Sequence, residues 1–95
     1  MSEQEKLQAV QEYLMTEFPD AKIDIKHQPQ ERVHVFQILH QGKRYCAIVG
    51  EAFLQGCEAT QIPATLVDFT LAEHLRELGI TPVVVAPEGL KLQGD

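Results

Sequence analysis

No apolar run in this chain approaches the ~20 residues that a helix needs to cross a bilayer. The start, MSEQEKLQ, lacks the basic residues and apolar stretch of a secretory signal. Both absences lead to the expectation of a cytoplasmic protein with no membrane partner. Cysteine is scarce as well. Cys46 and Cys57 are the only two, and in a reducing compartment they are expected as free thiols rather than a bridge. No linker, internal repeat or low-complexity segment interrupts the sequence. A chain of 95 residues is the size of one domain, expected over 1–95 with about 88–95 as a flexible tail.

Signatures of known chemistry are missing too. Gly50, Gly56 and Gly79 form neither of the glycine-rich spacings that cradle phosphates and read as turn and cap residues. No pair of cysteines or histidines has the local spacing that brings two ligands onto one zinc. His34 and His40 share a strand face but lie ~20 Å apart along it, and Cys46 points to the opposite face. No metal and no cofactor are expected. A nucleophile or acid–base reading would rest on Cys46, Cys57 or His74. Cys46 sits mid-strand, where cysteine behaves as a small hydrophobe, and neither thiol has a cue for a partner base. His74, between Glu73 and Glu77, lies at the margin of an apolar helix stripe. The expectation is a non-catalytic protein.

What the sequence does contain is an ordered run of elements. Ser2 and Glu5 fit a capping box, and Leu7, Val10, Leu14 and Phe18 recur at helical spacing until Pro19 ends the helix. Residues 22–26 alternate strictly and predict a strand with Ile23 and Ile25 inward. After a turn at 28–31, residues 33–39 and 43–49 predict two strands reversing at Gln41-Gly42. That two-residue turn pairs His40 with Lys43, Ile38 with Tyr45, Phe36 with Ala47 and His34 with Val49. Apolar groups then fall on both faces, so cover is expected on both. Residues 50–56 predict a short helical turn anchored by Phe53 and Leu54. A second long helix follows from Pro63, its core stripe formed by Ala64, Val67, Leu71, Leu75 and Leu78. Gly79 and Ile80 predict a Schellman cap. Residues 81–86 predict a strand, with Pro82 and Pro87 placing it at an edge or a strand end. The fold class is α+β: a two-layer sandwich of order α-β-β-β-(short α)-α-β, with an antiparallel sheet and two helices on one face.

The net charge is −6, unevenly distributed. Residues 1–20 hold one lysine against five carboxylates, whereas 21–50 hold Lys22, Lys26, Arg32, Lys43 and Arg44 against Asp24 and Glu31. These five cations are the candidate anion contacts. The α-β-β-β-α order is similar to that of double-stranded RNA-binding domains, a resemblance of topology alone, and a nucleic-acid partner is not expected. The chain departs from that pattern at the start of the second helix, where 60–65 carry no positive charge. Phe36 and Tyr45 read as core rather than as a stacking platform. The leading expectation is a protein-interaction module, including a homodimer. Its candidate surface is Val35, Leu39, Cys46 and Ile48 on the second sheet face, with Leu66 and Phe69 on the far side of the second long helix. A weak anion or nucleic-acid binder is the alternative.

Overall fold

The computed structural model describes residues 3–78 and 82–92. Among these residues nine elements follow in order: α1 (Glu3–Glu17), β1 (Lys22–Gln28), β2 (Val33–His40), β3 (Lys43–Gly50), α2 (Glu51–Gly56), α3 (Ile62–Asp68), α4 (Leu71–Leu78), β4 (Val83–Ala86) and β5 (Gly89–Leu92). The class is α+β, with a mostly antiparallel sheet ordered β1-β2-β3-β4-β5. The β3–β4 pair is parallel, so α2, α3 and α4 form the crossover that a parallel pair requires.

The stripe read for α1 faces inward: Val10, Leu14 and Phe18 are buried and Leu7 packs against them. Phe18 N–H closes the last helical bond to Leu14, 2.8 Å. Pro19 and the left-handed Asp20, φ 65, then turn the chain into β1. The expected capping residue Ser2, like Gly79 and Ile80 of the expected Schellman cap, lies outside the described residues.

The central hairpin has the register expected from its turn, with Phe36 opposite Ala47 and His34 opposite Val49. Gln41 and Gly42 both take positive φ, 53 and 78, the requirement of a two-residue turn whose twist matches its strands. Phe36, Ile38, Tyr45, Ala47 and Val49 therefore share one face and join a single core with all four helices, Val83 and Val85.

Three expectations need correction. Ile25 faces the helix side, opposite Phe36, but is not buried there. Strand β1 is the sheet's edge, and Ile25 is 38% exposed while Ile23 is half-buried. The second long helix is two helices. Thr70 takes φ 54, the chain breaks at Phe69-Thr70, and the buried residues of α3 become Ile62 and Leu66 rather than Ala64 and Val67. Leu66 is fully buried, Phe69 packs against the core, and Val67 is 56% exposed. Pro82 and Pro87 flank β4 at its ends, one of the two places read for them, and the strand itself is interior between β3 and β5. Finally, 89–92 is not a tail. Gly89 (φ 139) returns the chain after Pro87-Glu88, and Leu90 opposite Val85 seats the fifth strand on the core.

Side-chain clasps bind the helix layer. Tyr13 hydroxyl accepts from Ala72 N–H at the start of α4, 3.1 Å. Lys6 Nζ donates to the Leu54 carbonyl, 2.6 Å, and Arg76 donates to the Glu17 carbonyl, 2.7 Å, while its guanidinium lies 5.0 Å over the Phe18 ring. Burial pushes the Tyr13 hydroxyl pKa up.

Candidate functional site

Two regions bring polar and reactive side chains together. The first is the sheet face opposite the helices. Alternation and register place Lys22, Asp24 and Lys26 of β1 on it, with Val35, Gln37 and Leu39 of β2 and Arg44, Cys46 and Ile48 of β3. Val84 and Lys91 continue the face across β4 and β5. Val35 and Ile48 are buried, 8% exposed each, yet stand apart from the helix-side core. Lys26 is opposite Val35 on this face, and a long side chain can lay its methylenes over an apolar neighbour. Leu39 stays 41% exposed, and Cys46 and Val84 are half-buried.

A shallow cavity of about 450 Å³ opens at the hairpin end of this face, lined by Lys22, Asp24, Gln37, Leu39, Arg44 and Cys46 among others. Lys22 and Arg44 flank Leu39 from the two neighbouring strands. Of the five cations singled out from the sequence, Lys22, Lys26 and Arg44 share this face. Lys43 pairs with His40 on the opposite side of the sheet, and Arg32 sits in the β1–β2 turn at φ 57. Lys91 joins the three and was not anticipated, because 89–92 was not read as a strand. It is ion-paired with Glu88, 2.6 Å, which holds the Glu88 carboxyl below its ordinary range. Of the six candidate interface residues, Val35, Leu39, Cys46 and Ile48 are gathered here. Leu66 and Phe69 belong to the core instead.

The second region lies at the other end of the sheet, on the helix side. His27 is directly opposite His34 in the β1–β2 pair, and Val33 is opposite Gly50. Glu51 N–H donates to the Arg32 carbonyl, 2.9 Å, which brings the start of α2 beside the β1–β2 turn. The Glu51 carboxylate thereby reaches His27 Nε2, 2.9 Å. The His27 and His34 rings stack, 4.3 Å between centroids and 13° between planes, with His34 buried and His27 exposed. A groove of about 550 Å³ runs alongside, lined by Gln4, Leu7, Gln8, Gln11 and Ile25 with both histidines. Local spacing could not reveal this cluster. Its members are joined by strand register and a turn, so the usable signal was the alignment of His27 with His34 across the turn at 29–32.

Of the reactive candidates, Cys46 lies half-buried in the cavity on the open face, while Cys57 and His74 are drawn into the scaffold. Burial raises the Cys46 thiol pKa, which disfavours the thiolate, and Cys57 packs against the core. His74 Nδ1 pairs with the Thr70 carbonyl, 2.9 Å, bracing the break between α3 and α4. Phe36 and Tyr45 lie buried beneath the helices. No family model, curated protein or solved structure matches the chain. No helix among the described residues is long and apolar enough to cross a membrane.

Proposed function

We propose that this chain is a protein-binding module whose helix-free sheet face receives an acidic, leucine-bearing segment of a partner protein. One observation supports the reading above others: charge is separated between the two layers. The four helices carry Glu3, Glu5, Glu12, Glu17, Glu51, Asp68, Glu73 and Glu77 against Lys6 and Arg76. The five strands carry Asp24 alone against Lys22, Lys26, Lys43, Arg44 and Lys91. Lys22, Lys26 and Arg44, with Lys91 already paired to Glu88, lie on a face that also presents Asp24, Leu39, Cys46 and Val84. Such a surface attracts carboxylates at its rim and accepts apolar side chains between them.

The same cations disfavour the face-to-face homodimer expected from the sequence, because two copies would set Lys and Arg against Lys and Arg. An RNA partner is less well supported, since the bare face has no aromatic ring on which a base could stack.

The test is an amide-shift titration of the ¹⁵N-labelled chain with two synthetic peptides, one alternating Glu and Leu and the other alternating Gln and Leu. The acidic peptide should shift Leu39, Arg44, Cys46 and Val84, weaken as salt rises, and lose its effect in the Lys22→Glu/Arg44→Glu variant. Equal shifts with both peptides, or shifts confined to the helices, would overturn the proposal. Concentration-dependent light scattering that tracks the same residues would replace it with self-association. Tighter binding to an oligoribonucleotide would replace it with the nucleic-acid reading.

A further inference from the structure

The cluster on the helix side calls for an account that the binding face does not supply. His27, His34 and Glu51 each offer one ligand atom, and these atoms lie within 4.8 Å of one another. Donors around a tetrahedral zinc sit about 3.3 Å apart, given metal–ligand distances of ~2.0–2.2 Å. The His27 Nε2 to Glu51 Oε2 separation, 2.9 Å, is already near that bite. The two rings are stacked, 13° between their planes, so their in-plane lone pairs run parallel, and one ion meets both only when the half-exposed His27 side chain (47%) turns out of the stack. His34 is 2% exposed, so its ring is held by packing, which pre-organises one ligand of the three.

We propose that His27, His34 and Glu51 form a binding site for one divalent cation of the zinc class, with an open coordination position facing the groove along α1.

The donor set selects the metal. Two imidazoles and one carboxylate suit zinc, cobalt, nickel and copper, whereas magnesium and calcium want oxygen ligands. One carboxylate and two neutral rings leave the bound divalent ion with a net charge of +1. That residual charge retains a water or accepts an anionic group at the fourth position. Three protein ligands of this kind with one vacancy are the arrangement of zinc sites that act on a ligand rather than merely brace a fold. The groove supplies what such a ligand would meet: Gln4, Gln8 and Gln11, amides that can donate or accept, beside the apolar Leu7 and Ile25. The open position therefore suits a small carboxylate or amide-bearing ligand with an apolar portion.

The experiment titrates zinc into the chelator-treated full chain by calorimetry, with the thermal midpoint and the visible spectrum of the cobalt form as further readouts. The expected result is one ion per chain, a midpoint that rises with zinc but not with magnesium, and a four-coordinate cobalt spectrum lacking thiolate charge-transfer bands. His27→Ala and Glu51→Gln alter side chains at the surface end of the cluster. Each should weaken zinc binding by more than about tenfold while circular dichroism stays unchanged. His40→Ala, His74→Ala and Cys57→Ser should bind as the parent does. Parent-like zinc affinity in both His27→Ala and Glu51→Gln would overturn the proposal, as would loss of binding in Cys57→Ser. In that event His27 and Glu51 are only a surface pair tying β1 to α2, and the two variants would lower the midpoint equally with and without zinc. None of these readouts involves the bare sheet face, so the site stands or falls separately from the binding proposal.

Discussion

Leu66 and Val67 are adjacent in sequence and opposite in role, and the contrast gives the most direct test of the fold at single residues. Leu66 is fully buried and Val67 is 56% exposed. Leu66→Ala should cost ~2–5 kcal/mol in urea denaturation, as should Leu71→Ala and Leu75→Ala, whereas Val67→Lys should change stability by no more than ~0.5 kcal/mol. The sequence alone favoured Val67, because it continues the stripe of Leu71 and Leu75 if the helix is unbroken. Nothing local announces the break, since Thr70 is β-branched and such residues seldom take positive φ. Tyr13 makes a second residue-scale prediction. Its pKa is raised by burial, so the folded state keeps the phenolic proton at a pH where the unfolded chain has lost it. The stability this contributes is complete below pH 10 and is lost as pH climbs through the folded value. Cys46, raised from 9.0 by burial, adds a similar loss beginning near its own unfolded value. Tyr13→Phe should be less stable at neutral pH, because Ala72 N–H loses its acceptor, at a cost of ~1–3 kcal/mol. It should also lose less of its stability on going above pH 10 than the parent does, as measured by denaturation at several pH values.

At the scale of elements, legibility follows how local the determining interaction is. The β2–β3 register could be read because Gln41-Gly42 is a two-residue turn between alternating runs, and a short turn leaves one pairing. Helix α1 could be read because one uninterrupted stripe and Pro19 define it. Strand β5 could not, because Leu90 and Leu92 alternate over only four residues and acquire meaning only once Val85 lies opposite. The His27–His34–Glu51 group was hidden for a related reason: its parts meet through the β1–β2 register and the Glu51–Arg32 hydrogen bond. Two element-scale outcomes follow. Thr70→Gly should exceed Thr70→Ala in stability by about 1 kcal/mol, since alanine keeps the Cβ that left-handed backbone disfavours; thermal denaturation of the pair would show it. Removing 89–95 should leave Val83–Ala86 as a bare apolar edge with no charge to blunt it. The shortened chain should scatter light on mild warming where the parent stays clear.

At the scale of the whole molecule, an acidic helix layer lies over a basic sheet. The two-layer class was legible from the order of elements, and the mild basicity of 21–50 was visible as composition. That Lys91 joins Lys22, Lys26 and Arg44 on one face was not, because it arrives through a strand the sequence did not declare. The parallel β3–β4 pair has a separate consequence, for the order in which the fold is assembled. Strands β1, β2 and β3 meet their partners across short turns, whereas Ala47 must find Val83 across the whole span of α2, α3 and α4. Closing so long a loop costs chain entropy before any contact returns it. The three-strand meander should therefore acquire amide protection early in a refolding pulse. Val83, Val84 and Val85 should gain it only when the helices have docked, and in the native protein their amides should exchange ahead of those of Phe36 and Ala47.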